Sequence, residues 1–464
     1  MIEFKGWAYM YTIGCQMNVY DSERLLFILN SMGYEETKVL EEADIIVCNT
    51  CTIRQKAQEK AYSFLGRLGK LKKSKPHLIS VIAGCVAQQD GAQAIKRLPY
   101  IDIVLGPQSF SRFAQLIEKA QGGRSNLVST ESSDTIFEIM PNVSGISKNE
   151  ISRFVTIMQG CENFCTYCVV PYVRGKEKSR NPETIVKEVK ILAESGIKEI
   201  TLLGQNVNSY GIKEKDISFA ELLKRVSMVD AIKRIRFATS HPKDLSDELI
   251  YAIRDIEKVC MHLHLPVQSG SNRILKKMNR GYTKENFLER IAKLKQECPS
   301  IAISTDLITG FPSETREDFQ ETLDLMKTVE FDGVFAFSYS DRPIAPAVKF
   351  DGKVDEKEKL ARLNELFSVQ NYYTEKNNAK LIGKLETVLV EGESKKKMKP
   401  QVTLSSSSSD EVEGEEEKRQ MMGRTESNKI VHFSGNNIEP GTMINVKIEH
   451  AYPHSLWGVM QGVS

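Results

Sequence analysis

Three cysteines fall within one short stretch, QGCENFCTYCVVPY: Cys161, Cys165 and Cys168, spaced C-x3-C-x2-C. Thiolates this close on one loop have the reach to ligate three irons of a [4Fe–4S] cluster, whose usual full set is four cysteines. A fourth iron without a protein ligand keeps a coordination position open, as catalytic metals do for substrate. A zinc knuckle is the competing use, but zinc sites ordinarily pair C-x2-C elements and no second pair lies nearby. Cys15, Cys51 and Cys85 are far apart in sequence yet share a position. Each lies at the end of an apolar run (WAYMYTIG, ADIIVCNT, HLISVIAG) that reads as a β-strand. In open parallel sheets the C-terminal strand ends converge on one ligand-binding crevice. Three thiols there suit a second three-thiolate cluster; the bland alternative is that cysteines are common core residues.

The other three cysteines read as packing residues. Cys48 forms C-x2-C with Cys51 but sits inside an apolar strand, and Cys260 and Cys298 flank strands of the central region. His262 and His264 alternate on HLHLPV and share one face. With no acid close by in sequence, buried hydrogen bonding is their expected role.

Residues 6–122 alternate strands and helices, with a Ser22 cap opening the first helix and a long helix from about residue 53. This pattern implies an open parallel α/β sheet with helices on both faces. Residues 123–146 read as a polar linker. From Arg153, six strand-like runs (RFVTIM, KEITLLG, RIRFATS, HLHLPV, IAISTDLITG, VFAFSY) alternate with helical stretches near 182–195, 217–228, 246–257, 283–297 and 315–329. Six units within 147–377 suit a partial (β/α)6 barrel. Residues 378–464 carry short strands expected to close a small β-barrel. The run KPQVTLSSSSSDEVEGEEEKRQ, near 400–420, reads as a disordered insertion.

Composition bounds these readings. Over 464 residues, Lys+Arg 63 against Asp+Glu 61 gives a net charge of +2, so any polyanion must be met by local patches. No membrane-length apolar run and no secretory leader are evident, which places the protein in the cytoplasm, where thiols stay reduced.

Taken together, the sequence resembles the methylthiotransferase family of the radical S-adenosylmethionine (radical SAM) enzymes. The resemblance covers nearly the whole chain, through TIGCQMN, CNTCTIR and AGCVAQ, then IMQGCENFCTYCVVPYVRGKEKSR, LGQNVNSYG, TSHPKD, HLPVQSGS, TDLITGFPSET and FSYSDRP. The terminal part resembles a TRAM domain, an RNA-binding β-barrel. The resemblance implies two [4Fe–4S] clusters. Cys161, Cys165 and Cys168 hold the one whose open iron chelates SAM, and reduction cleaves SAM to a 5′-deoxyadenosyl radical. Cys15, Cys51 and Cys85 hold the auxiliary cluster that carries the sulfur to be inserted. It further implies two uses of SAM and a methylthio group placed at C2 of isopentenyladenosine 37, beside a tRNA anticodon. LGQNVNSY disfavours the branch acting on a ribosomal-protein aspartate. That branch, the one acting on threonylcarbamoyl-adenosine, and a non-catalytic iron–sulfur or zinc RNA-binding protein are the alternatives. One departure concerns a loop: the family continues Pro-Gly-Thr after Arg342, whereas this chain has Ile344 and Ala345 after Pro343.

Barrel-strand ends are where SAM contacts belong. Gln205, Asn206, Ser240, Gln268 and Asp306 occupy them, and Tyr167 lies inside the cysteine loop with a ring able to meet adenine. Arg174 and Lys178 either neutralise an anion there or are surface charges. For RNA, residues 52–76 carry eight Lys/Arg, including Arg54 and Lys56, and one acid. Lys395, Lys396 and Lys397 form a second basic run. Phe433, Tyr452 and Trp457 either stack bases or fill a core. The expected partners are a tRNA anticodon stem-loop, a flavodoxin- or ferredoxin-type electron donor and a sulfur source, with the protein acting as a monomer.

Overall fold

The computed structural model describes residues 3–52, 55–133, 136–141, 143, 146–147, 149–394, 419–435 and 438–463. Arg54, Lys395, Lys396, Lys397 and most of the Ser/Glu-rich insertion lie outside them. Apolar runs form β1 (Gly6–Ile13), β2 (Tyr34–Glu36), β3 (Ile45–Thr50), β4 (Ile79–Gly84), β5 (Ile103–Leu105) and β6 (Leu127–Ser129). All are parallel, in the order β2-β1-β3-β4-β5-β6. Every position of β3 and β4 is buried, as strands covered on both faces require.

The covering helices are α1 (Gln16–Ser31), α2 (Gln55–Ser74), α3 (Cys85–Asp90), α4 (Ala92–Arg97) and α5 (Phe113–Gln121). Leu25 and Leu29 of α1 and Ile117 of α5 pack on Ile45, Val47 and Val81; Leu65 and Leu68 of α2 pack on Ile46, Cys48 and Ile82. The chain moves outward from β1 to β2 and then returns to β3 on the other side. The strand order therefore reverses between β1 and β3, the switch point where such sheets bind ligands.

Two details differ from the sequence reading. α1 starts at Gln16, because Cys15 itself is the N-cap. Ser22 lies inside the helix, its hydroxyl bonded to Thr12 Oγ1 (2.7 Å) and to Asn49 Nδ2 (2.9 Å). Strand β6 also falls within the expected linker, because Leu127–Ser129 pairs with β5 and extends the sheet.

The central region contains β7 (Ser152–Thr156), the hairpin strands β8 (Met158–Gln159) and β9 (Lys178–Ser179), then β10 (Glu199–Leu203), β11 (Arg234–Phe237), β12 (His262–His264), β13 (Ala302–Thr309) and β14 (Gly333–Ser338). Parallel sheets β7-β10-β11 and β12-β13-β14 are joined by a bridge between Ile235 and Val259 into one curved wall. Helices α6 (Val170–Val173), α7 (Pro182–Glu194), α8 (Phe219–Ser227), α9 (Asp247–Asp255), α10 (Asn272–Lys277), α11 (Lys284–Glu297) and α12 (Arg316–Val329) intervene. Five of them open on a side-chain cap (Asn181, Ser218, Ser246, Thr283, Thr315) that accepts from a first-turn N–H. Those caps fix where the helices begin. The wall is a six-strand barrel left open between β7 and β14. No helix among the described residues is long and apolar enough to cross a membrane.

Helix α13 (Glu356–Ala379), absent from the sequence reading, then touches β14 and leads to a closed barrel. Its strands are β15 (Leu385–Glu393), β16 (Gln420–Thr425), β17 (Ile430–Ser434), β18 (Met443–Tyr452) and β19 (Ser455–Val463), in the order β15-β16-β17-β19-β18. Phe433 lies in the core of this barrel, Trp457 is buried next to core residue Leu456 on the alternate face of β19, and Tyr452 is half-buried.

Two arginines seat the terminal barrel on the central one. Arg234 donates to the carbonyls of Thr387 (2.8 Å) and Arg424, and Arg236 to those of Thr425 (2.8 Å) and Glu426 (3.0 Å). Arg236 also pairs with buried Glu199 at 2.9 Å. Removing one partner of a buried pair strands the other charge, at a cost of roughly 3–5 kcal/mol. Arg236→Met is therefore expected to lower the melting temperature and to speed proteolytic release of the terminal barrel, both read against the parent protein.

Candidate active site

Cys15, Cys51 and Cys85 follow β1, β3 and β4, the strands at and next to the switch point. An asparagine pair ties two of those strand ends together. Asn18 Oδ1 accepts from the Cys15 N–H (3.2 Å) and Asn18 Nδ2 donates to the Thr50 carbonyl (3.2 Å), while Asn49 Nδ2 donates to the Asn18 carbonyl (2.9 Å). Cys51 hydrogen-bonds Cys15 and, with the Arg174 charge and the N–H groups of Asn18 and Met17, holds the Cys15 thiol at about 6 against the opposing effect of burial. Burial raises Cys85, and Arg174 opposes that rise. Arg174, 4% exposed, donates from Nε to Cys85 Sγ (3.3 Å) and from Nη2 to Asp21 Oδ2 (2.6 Å). Cys48 is enclosed in the core of the sheet, and burial pushes its thiol up.

The second set lies at the end of β8. Gly160 adopts φ +82°, and a Cβ there would stand 1.9 Å from the Lys176 carbonyl, so the turn into Cys161 needs glycine. Gly160 N–H donates to Gln205 Oε1 (2.5 Å) and Cys161 N–H to the Gly175 carbonyl (3.2 Å). Burial raises Cys161 and pushes Cys168 up to about 12, with neighbouring Cys165 adding to both. Asn163 Nδ2 donates to Cys161 Sγ (3.5 Å), Val170 N–H to Cys168 Sγ (3.4 Å) and Arg280 Nη1 to Cys165 Sγ (3.3 Å). Arg280 also donates to Tyr167 Oη (3.3 Å).

The two sets meet through α6, which starts two residues after Cys168 and rests on α3, the helix that opens with Cys85. Val169 and Val173 pack with Cys85 and Ala345, and Ile344 lies against the same cluster. The loop in which this chain departs from the pattern of the family it resembles thus forms an apolar wall beside Cys85. Arg342 faces Cys51.

The strand-end candidates divide. Gln205 supports the cysteine loop, as above. Asn206 bonds Asp244 (2.7 Å) through Nδ2, leaving its buried Oδ1 without a partner among the described residues; the Ser240 hydroxyl is likewise buried and unpartnered among them. Gln268 bridges to β13 through its backbone, its N–H donating to the Asp306 carbonyl (2.9 Å). The Asp306 carboxylate lies 3.5 Å from His264 Nε2. His264 thus has an acid neighbour that sequence distance concealed, and both histidines bond Ser304 Oγ (3.1 and 3.0 Å). Sequence reasoning missed His241, Asn208, Arg280, Asn18 and Asp21. TSHPKD, LGQNVNSYG and TIGCQMN carried His241, Asn208 and Asn18 without giving them a role, and the partners of Asp21 and Arg280 are distant in the chain.

The residue types suit the groups that the resemblance implies, although among the described residues no three His, Cys, Asp or Glu are grouped closely enough to hold a single metal ion. Each set offers three soft thiol donors and at least one hydrogen-bond donor to sulfur. Asn206 Oδ1, Asn208 Oδ1, Ser240 Oγ and His241 Nε2 are buried at one barrel end with no partner among the described residues, which leaves polar bonding capacity there.

Family models match residues 8–106 (Uncharacterized protein family UPF0004), 155–326 (Radical SAM superfamily) and 411–460 (TRAM domain). The tRNA-2-methylthio-N(6)-dimethylallyladenosine synthase of Desulfosudis oleivorans is 47% identical over 98% of this chain and 97% of its own length. Those of Syntrophus aciditrophicus and Clostridium tetani are each 46% identical, over 98% of this chain and 95% and 96% of theirs. The chain belongs to this synthase family. Among solved structures, the radical SAM methyltransferase TsrM of Kitasatospora setae shares the fold, with TM-score 0.55 and 14% identity over 74% of this chain and 77% of that one. The radical SAM enzyme OxsB does so with TM-score 0.52 and 13% identity, over 79% and 56%.

Gly84 closes β4 at φ +88°, where a Cβ would stand 2.3 Å from Asn49 Oδ1 and 2.5 Å from the Thr50 carbonyl. Backbone of this kind costs a side-chain-bearing residue roughly 1–3 kcal/mol before the clash is counted. Gly84→Ala is expected to lower the melting temperature and to make Cys85 react faster with a thiol reagent in the metal-free protein.

Proposed function

We propose that this protein is a radical SAM methylthiotransferase that inserts a methylthio group at C2 of N6-isopentenyladenosine 37 of tRNA, using two [4Fe–4S] clusters and two molecules of SAM. The observation that carries the reading is the approach of two three-cysteine sets from different domains, linked through Arg174 to Cys85 and Asp21. Cys161, Cys165 and Cys168 hold the cluster that engages SAM, and Cys15, Cys51 and Cys85 the auxiliary one. When bound, these groups supply one-electron chemistry and sulfur, which no side chain provides for an unactivated aromatic C–H.

The chain's own residues bind, orient and exclude. Arg280 and Arg174 place cations against the anionic thiolates. Tyr167 presents its ring beside the cysteine loop, while Asn206, Ser240, Gln268 and Asp306 offer polar contacts to SAM at the strand ends. Gln205 holds the loop through Gly160. On the lumen face of β14, Phe335 and Phe337 are 55% and 38% exposed, opposite Asp306 and Ile308. That is apolar surface of the kind an isopentenyl group covers. The flavodoxin- or ferredoxin-type donor, the sulfur source, the monomeric state and a cytoplasmic location belong to the same proposal.

Anaerobic reconstitution tests the core of it. The expected result is about eight irons per chain, two four-iron clusters, with 5′-deoxyadenosine formed on reduction and 2-methylthio-isopentenyladenosine in the tRNA. Bound zinc without SAM turnover overturns it. Cys15→Ala is expected to keep SAM cleavage and lose methylthio insertion, whereas Cys161→Ala loses both.

tRNA contact is proposed along α2, which begins beyond Cys51. Lys72 is tied to Asp102 and Lys75 to the carbonyls of residues 41–43, but Lys56, Lys60, Arg67, Lys70 and Lys73 are exposed. Replacing Lys56, Lys60, Lys70 and Lys73 by Glu is expected to weaken tRNA binding. It should also flatten the salt dependence by about 0.7–0.9 in log–log slope for each phosphate no longer neutralised.

A further inference from the structure

Two exposed aromatic side chains meet on the cysteine loop of the central barrel. Phe164, between Cys161 and Cys165, is 48% exposed, and Tyr172 on α6 is 45% exposed. Their rings lie edge to face with centroids 6.4 Å apart. Single apolar residues at a surface are ordinary, but Phe164 is held there by its backbone. It adopts φ +45°, a left-handed conformation that a bulky residue takes only under constraint. The constraint comes from around the loop. Asn279 Nδ2 donates to the carbonyls of Asn163 (3.0 Å) and Phe164 (3.1 Å), Thr166 Oγ1 to the Lys277 carbonyl (2.9 Å), and Lys243 Nζ to Asn163 Oδ1 (2.7 Å). The ring is thus presented to solvent one residue from the Cys165 thiol. Among the described residues, no exposed aromatic adjoins Cys15, Cys51 or Cys85 in the chain.

The charges around this face are unevenly placed. Lys276 and Lys277 of α10 and Lys243 are exposed, and none of them forms an ion pair among the described residues; Lys277 bonds Ser313 Oγ and Arg273 is taken up by Asp318. Carboxylates lie toward β9 instead. Glu177 precedes that strand, Glu214 accepts from the Ser179 N–H (2.9 Å), and Glu162 is paired with Lys213. Asp244 is turned to Asn206 (2.7 Å). The face therefore has an aromatic centre, a basic flank at α10 and an acidic flank at β9.

We propose that an acidic one-electron donor protein of flavodoxin or ferredoxin type docks here, on Phe164 and Tyr172 with Lys276 and Lys277. The proposal rests on the assignment of a cluster to Cys161, Cys165 and Cys168. The donor loses one electron, that cluster gains it, and no atom is transferred. Electron-transfer encounters need close approach rather than area, and bury less than about 1,200 Å². The aromatic centre excludes water from the contact, the lysines steer an acidic partner, and the unequal flanks fix its orientation. A substrate must face both cysteine sets, whereas an electron need reach only one, and this face adjoins one alone. Nearness then makes the cluster that engages SAM the point of entry.

The test uses the full-length protein with both clusters reconstituted. It reads 5′-deoxyadenosine formed with reduced flavodoxin, with reduced ferredoxin and with dithionite, beside iron content and tRNA Kd. At least one protein donor is expected to drive the parent. Lys276→Glu with Lys277→Glu should slow that donor-driven rate about tenfold or more at low salt and low donor concentration, and remove most of its salt dependence. Phe164→Ala and, separately, Tyr172→Ala should raise the donor concentration needed for half-maximal rate. Iron content, tRNA Kd and the dithionite-driven rate should stay at parent values in the charge variant and in Tyr172→Ala. An equal loss with dithionite, weaker tRNA binding with an unchanged donor-driven rate, or no change in any variant overturns the proposal. So does a parent that dithionite drives and neither protein donor does. A parent that forms no 5′-deoxyadenosine with any reductant overturns the cluster assignment, and the docking face with it.

Discussion

The guanidinium of Arg174 is withdrawn from water at the boundary of two domains, and an ion in that position is tolerated only with its partners in place. Those partners are Asp21 on α1 and Cys85 at the head of α3, and Gln108 Nε2 donates to the Arg174 carbonyl at 2.8 Å. The residues just beyond Cys168 thus have a single seat on the first domain. Helix α1 serves as the gauge. It is capped by Cys15, carries Asn18 and Asp21 one turn apart, and presents Tyr20 to a second buried pair, Arg180 and Glu188 at 2.7 Å. Moving α1 against the barrel would strand two buried charges together.

That dependence explains what the sequence disclosed and what it hid. The strands preceding Cys15, Cys51 and Cys85 are legible because a buried parallel strand is a short apolar run, and each thiol follows its run directly. The six barrel strands and their helices are legible for the same reason, reinforced by caps such as Ser246 and Thr315. The arginines are not. Nothing local distinguishes Arg174 from a solvated residue, since Asp21 lies 153 positions away and Cys85 89 positions away. Likewise His264 has no acid near it in sequence, yet parallel pairing of β12 with β13 sets Ser304 opposite it and brings Asp306 within 3.5 Å. Ser22 misleads in the opposite sense. A serine ahead of an apolar helix reads as a cap, but Cys15 already ends the strand, and the hydroxyl serves Asn49 instead.

The barrel lumen itself distinguishes its two ends. At the N-terminal end of β10 and β11, Glu199, Arg234 and Arg236 are charged and buried, and the pair formed with Glu199 and the carbonyls offered by the terminal barrel account for most of their bonding. At the C-terminal end of the same strands, Asn206 Oδ1, Ser240 Oγ and His241 Nε2 are buried with no partner among the described residues. His241 accepts from the Lys243 N–H at Nδ1 (3.3 Å), so a neutral ring carries its proton on Nε2. Burial, with Arg280 and Lys243 close by, lowers the imidazole to about 2 and keeps it neutral. An unmade hydrogen bond in a dry site costs about 1–3 kcal/mol, so a fold that satisfies one end of a strand pair and leaves the other wanting has directed its binding capacity to that end. The cysteine loop opens there, and the terminal barrel closes the end opposite.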